Sequence, residues 1–249
     1  MTDTTSPFAA ASAEGAEAIQ LLAAPDEAQQ LLKALNSHPW LAEMLCDNGE
    51  APLHQVARTG GGNTASHVLN KLLEVCPKAA SETAADGLLP LQLALLNGGQ
   101  WESDAIRLLL AANPNAAFVG TNMALLPLHL AVSCSNCSSA TVELLLEANT
   151  AAARATDQAR RLPLHMALEN NATTTKTLQL LVEAYPNSLA IPNPEGLTPL
   201  QAAGKKACFS TGGVMDHLRR MTRGKNELFS LAVVGAAALC LQIRTERPG

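Results

Sequence analysis

Apolar residues along this chain recur at spacings of three and four in short runs, and the runs come in pairs. One member of each pair opens on a proline: APLHQVA from Ala51, LPLQLAL from Leu89, LPLHLAV from Leu126, LPLHMAL from Leu162 and TPLQAAG from Thr198. Proline in the first helical turn removes no hydrogen bond, and the Leu and Ala that follow supply the apolar face of a short helix. The other member is longer, as in ASHVLNKLLEV, SDAIRLLLAA, ATVELLLEA and KTLQLLVEAY. Three of these four stop before Cys-Pro, Asn-Pro or Tyr-Pro, where proline disfavours the α conformation of the residue before it.

The pairs form a repeat. The first-helix prolines stand at 52, 90, 127, 163 and 199, at intervals of 38, 37, 36 and 36 residues. A second series, Pro39, Pro77, Pro114, Thr150 and Pro186, precedes each of them by 13 residues every time. The return distance runs 25, 24, 23 and 23, so one segment is held to a fixed length while the other varies. The fixed segment carries the chain from one helix pair to the next, where a length change would shift neighbours out of register. The variable ones, RTGGGNTASH, LNGGQWESD, SCSNCSSA and ENNATTTK, are predicted to be surface loops inside a pair, where added length costs little.

Five PLH or PLQ segments in register resemble the ankyrin repeat family, whose unit is about 33 residues and opens on T-P-L-H-x-A. The likeness spans roughly residues 37 to 221. Only Thr198 keeps the motif threonine, with Ala51, Leu89, Leu126 and Leu162 in its place, and the histidine position reads His54, Gln92, His129, His165 and Gln201. The resemblance implies an all-α solenoid of stacked helix-turn-helix units. It also implies that His54, His129 and His165 hydrogen-bond within and between repeats and do not catalyse. The 13-residue rule extends the array upstream: DEAQQLLKAL and EGAEAIQLLAA form a degenerate unit over 13–38, after a disordered 1–12, within an array of 13–221.

Composition adds mostly exclusions. A formal charge of -5 with no long basic run leaves no footprint for nucleic acid. The first 32 residues carry no Lys or Arg, unlike a secretory signal or transit peptide, so an intracellular, cytoplasmic or nuclear location is expected. The stretch GKK ending at Lys206 lacks the rest of a phosphate-binding loop, and no Gly-x-Ser-x-Gly or His-Glu-x-x-His occurs. Cys134 and Cys137 have a spacing suited to zinc or dithiol chemistry, but no second pair exists to complete a four-ligand site. No cofactor or metal is expected, and the chain is expected not to be an enzyme. A metal- or thiol-dependent redox protein acting through these two cysteines stands third among the functional readings.

The first reading is a monomeric, non-catalytic interaction module or adaptor that binds a protein partner along its concave face. By resemblance, contacts fall two, four and five residues before the first-helix proline and six and seven after it. Those positions hold Leu88, Met123, Leu125, Arg160, Arg161 and Leu197 on the turns, and Arg58, Leu96, Glu169, Lys205 and Lys206 on the helices. The face is expected to be apolar in its middle and basic toward its C-terminal end, for a ligand with an apolar anchor and an acidic flank. A second reading tethers the same array to an intracellular membrane. Residues 228–243, within a C-terminal segment of 222–249, contain only Ser230 and Gln242 as polar interruptions. A helix apolar all round is buried or in a membrane, and at 16 residues this one is short for a span, so it either caps the array or anchors it.

Overall fold

The computed structural model describes residues 32, 33, 35–39, 42, 50–59, 63–97, 101–135, 138–170, 172–205, 220 and 223. Their regular structure is helical, with no strand among them. Each of the first four PLH or PLQ repeats folds as two α-helices. The first pair is α1 (Pro52–Thr59) and α2 (Asn63–Val75), followed by α3 (Pro90–Leu96) with α4 (Ser103–Ala112) and α5 (Pro127–Ser133) with α6 (Ser139–Ala148). The next are α7 (Pro163–Glu169) with α8 (Thr175–Ala184), and α9 (Pro199–Lys205) opens another unit. Each proline of the first series is the first helical residue, as its fixed φ favours. The last four members of the second series each open a 3-10 turn: Pro77–Ser81, Pro114–Phe118, Thr150–Arg154 and Pro186–Ala190.

The chain divides into two compact units, residues 1–188 and 189–249. Within the first, α1, α3, α5 and α7 pack in a row, each on the next, and α2, α4, α6 and α8 form a parallel row behind them. Two leucine positions make the core. Leu53, Leu91, Leu128 and Leu164, each following a first-helix proline, are 1% exposed. So are Leu72, Leu109, Leu145 and Leu181 on the second helices. Burying each stabilises the fold by about 1.5–3 kcal/mol relative to exposure. Paired alanines in the 3-10 turns, such as Ala116 with Ala117 and Ala152 with Ala153, are buried too.

Helix ends are satisfied in two ways. Ser138 and Thr174 cap α6 and α8 through side-chain oxygens that accept from the amides of Thr141 and Thr177 at 3.2 Å. At α3, α5 and α7 the helix is closed by the residue two past the proline, whose side chain accepts the N–H of the residue before that proline, which is half of a capping box, whereas His54 Nδ1 at α1 makes no such bond. Gln92 Oε1 takes Leu89 N–H at 2.9 Å, His129 Nδ1 takes Leu126 N–H at 3.2 Å, and His165 Nδ1 takes Leu162 N–H at 3.1 Å.

Residues 1–12 and most of the expected N-terminal unit lie outside the described residues, although 32, 33 and 35–37 are helical. The apolar stretch 228–243 also lies outside them. Among the described residues no helix is long and apolar enough to cross a membrane.

Candidate functional site

The fixed-length segment between helix pairs ends in a tight turn. Over 84–88, 121–125, 157–161 and 193–197 the first residue's N–H donates to the fifth's carbonyl and the fourth's N–H returns to the first's. The fourth residue takes a left-handed φ: Gly87 at 78°, Ala124 at 56°, Arg160 at 61° and Gly196 at 77°. Two of these four are not glycine, so the turn is held by its surroundings as well as by its own preference.

The residue two before the first-helix proline meets the residue six after it, and in two repeats the pair is charged with opposite polarity. In the first, Arg58 of α1 donates to Glu50 at 2.9 Å and to Asp86 of the following turn at 2.9 Å. In the fourth, Arg161 of the turn donates to Glu169 of α7 at 2.8 Å and from Nε to Asp157 at 2.9 Å. Each arginine thus joins one buried carboxylate, Glu50 or Asp157, to one exposed carboxylate, Asp86 or Glu169. Asp86 hydrogen-bonds Arg58 and, with Glu50, holds its guanidinium above its ordinary pKa. Burial pushes Asp157 up, but the backbone N–H and guanidinium of Arg161 outweigh it and leave the carboxyl below its usual range. Burial lowers Arg161 while Asp157 and Glu169 more than compensate, leaving it raised.

In the repeats between, the same two positions hold Leu88 with Leu96 and Leu125 with Ser133. Leu96 is 51% and Met123 62% exposed, with Leu88 and Leu125 half-buried. An apolar row is therefore bracketed by two arginine–carboxylate clusters. The turns are tied sideways by Arg58 to Asp86, and by Gln158 donating from its backbone to Met123 O at 3.2 Å and from its side chain to Asn122 O. Beside this row, Ser133, Ser135, Arg161, Met166, Glu169 and Asn170 line an open cleft of about 580 Å³.

Of the residues chosen from sequence, the first unit brings together Arg58, Leu88, Leu96, Met123, Leu125, Arg161 and Glu169 in this row and its borders, with exposed Arg160 on the turn 157–161. Leu197 and Lys205 belong to the second unit, and Lys206 lies outside the described residues. The expected basic end is modified by the pairing of Arg161 with two carboxylates.

The histidines act on the backbone. His54 Nε2 donates to Glu82 O at 2.8 Å and His129 Nε2 to Ala155 O at 3.2 Å, while Gln92 Nε2 does the same to Val119 O at 2.9 Å. These three carbonyls are equivalent in the repeat. Burial is the main cause that lowers the His129 pKa below its ordinary value, and the Ala155 bond opposes it in part.

A second set of equivalent carbonyls was not legible in the sequence. Ala57, Leu95 and Val132, each five past a first-helix proline, accept from Trp101 Nε1 at 3.1 Å, Cys134 Sγ at 2.7 Å and Asn170 Nδ2 at 3.0 Å. Trp101 is 5% exposed although it comes from a stretch expected to be surface loop. Cys134 ends α5 and bonds the preceding repeat, whereas Cys137 lies outside the described residues. Among the described residues, no three or more His, Cys, Asp or Glu side chains are grouped to hold a metal ion.

No family model and no curated protein matches the chain. A solved structure does. It is the complex of the Bd0816 predatory endopeptidase from Bdellovibrio bacteriovorus with immunity protein Bd3460, a chain of which is similar to this one with a TM-score of 0.58. Identity is 17% over 83% of this chain and 96% of that chain, so the likeness is one of fold. This finding overturns the expectation of a non-catalytic adaptor or scaffold, and with it the expectation that the chain is not an enzyme. One solved assembly with a chain of this fold is that of an endopeptidase and an immunity protein. Repeated helix pairs fix a surface but not its use, so the repeat pattern does not carry the function.

Proposed function

We propose that the chain makes a protein–protein contact within a peptidase complex, using the apolar row of Leu88, Leu96, Met123 and Leu125. The observation that carries this reading is the exposure of Leu96 and Met123 between two ordered ion-pair clusters. An apolar centre with a polar rim is the anatomy of a protein interface. The solved complex with a chain of this fold joins an endopeptidase to a protein partner, which favours a peptidase as the other member. In this reading the helix pairs of residues 1–188 stack as ankyrin-like units of a solenoid and the row lies along their turns. A second reading, in which the chain is itself the peptidase, rests on the same complex.

The test is to recover the full chain from its source cells with whatever it binds, and to assay casein hydrolysis by the bound fraction, by the chain alone and by their mixture. The account expects hydrolysis by the recovered complex, changed when the contact is broken and restored on mixing. Leu96→Asp with Met123→Asp should abolish the association. Hydrolysis by the pure chain establishes the second reading, and association indifferent to both substitutions overturns the first.

A further inference from the structure

His129 and His165 bond the N–H groups of Leu126 and Leu162, the residues at which the turns 121–125 and 157–161 enter α5 and α7. Each ring does so through Nδ1, which must therefore carry a lone pair. At His129 the other nitrogen donates to Ala155 O, so the ring is the neutral Nε2–H tautomer. An added proton has only Nδ1 to occupy, where it confronts the Leu126 N–H. The bond to Ala155 survives protonation, because Nε2 remains a donor. The bond that closes the turn does not.

The repeat contains its own control. At the same position Gln92 accepts Leu89 N–H and Gln201 accepts Thr198 N–H, both at 2.9 Å, through amide oxygens that do not titrate. Two turns are thus fastened by an ionisable acceptor and two by an inert one. The histidine-fastened turns carry Met123, Leu125, Arg160 and Arg161.

Charged and titratable groups face the two rings from the neighbouring elements. Asp157 favours and Arg161 disfavours a charge on His129. Neither α3 nor the 3-10 turn Pro114–Phe118, both packed on α5, has an ionisable side chain, and α6 offers exposed Glu143 and Glu147. From α7 come His165 and Glu169. His165 in turn is faced by α5 with His129, by α8 with Lys176 and Glu183, and by the 3-10 turn Thr150–Arg154 with Arg154.

We infer that His129 and His165 are acid-sensitive latches which, on protonation, release the turns 121–125 and 157–161 while the glutamine-fastened turns stay closed. The inference gives the proposed contact face a pH-dependent half, and its functional meaning rests on that reading. The latch itself does not.

Amide hydrogen exchange on the full chain, followed from pH 7.5 to 5.0 and corrected for intrinsic rates, tests it. Leu126 and Leu162 are expected to lose protection by up to about tenfold per pH unit once the rings titrate. Leu89 and Thr198 should change less than about twofold, and His129→Gln with His165→Gln should bring all four to the same flat profile. The glutamine variants copy residues the repeat already uses. Equal loss at all four amides, or protection retained at Leu126 and Leu162, overturns the inference. Binding of the recovered partner at the two pH values is read separately. Latches that open without weakening binding leave the switch standing and count against the placement of the contact face.

Discussion

Trp101 reaches across a repeat boundary to donate its indole N–H to the carbonyl of Ala57 at 3.1 Å, at the end of α1. Trp101→Phe keeps most of the ring's bulk and leaves that carbonyl without its donor, for an expected loss of about 1–3 kcal/mol. Trp101→Ala adds a cavity and is expected to cost about 3–5 kcal/mol. Urea denaturation of the three proteins gives both numbers, and equal midpoints for Trp101 and Phe would show that the bond contributes nothing.

The turns store strain at defined places. Ala124 sits at φ 56° where Gly87 and Gly196 occupy the equivalent positions. Ala124→Gly is expected to raise stability by about 0.5–1 kcal/mol, and Gly87→Ala to lower it by about 1 kcal/mol. A Cβ at Gly87 would meet nothing within 4 Å, so the second effect is one of backbone conformation alone. Thermal melting of both variants decides this, and an unchanged melting temperature for Gly87→Ala would argue against a strained turn.

Arg161 is the partner of a carboxylate that is only 3% exposed. Arg161→Ala leaves Asp157 with the backbone N–H and no guanidinium, at an expected cost of about 1.5–3 kcal/mol at pH 7. Because the folded Asp157 pKa lies below its usual value, its contribution is present above about pH 3.8 and is lost as pH falls through the folded value. A denaturation series should show the wild-type advantage over Arg161→Ala shrinking below pH 4. An advantage independent of pH would assign Arg161 a packing role.

His129 acts in a higher window. Its folded pKa is depressed by burial, so the unfolded chain binds the proton more readily, and stability is complete above about pH 6.5 and declines as pH falls below it. His129→Gln, which copies Gln92, should flatten the pH 7.5 to 5 part of the stability profile. Parallel profiles for the two proteins would contradict this.

Much of the fold was legible because repetition amplifies local signals. The prolines mark where first helices begin, and the constant 13 residues fix the turns that join one pair to the next. His54 and His129 bond between segments as the family resemblance implied. What escaped was chemistry that changes identity from repeat to repeat. The equivalent carbonyls of Ala57, Leu95 and Val132 are met by an indole, a thiol and an amide, which share a hydrogen-bond donor and nothing a repeat comparison aligns. The pairs Glu50–Arg58 and Arg161–Glu169 were hidden for a similar reason, since the charges exchange places between the two positions. The use of the surface was least legible, because exposed leucine and methionine side chains say that something docks without saying what.

The central claim is that the row through Leu96 and Met123 contacts a protein partner in a peptidase complex. Site-specific photocrosslinking in the source cells tests it most directly, with the probe at Leu96 or Met123 and, as controls, at exposed Glu143 on α6 and at Lys71 on α2. The account predicts an adduct with one protein, a peptidase by mass-spectrometric sequence, from Leu96 and Met123 and none from the controls. Adducts arising equally from Glu143 and Lys71, or none from Leu96 and Met123, would contradict it.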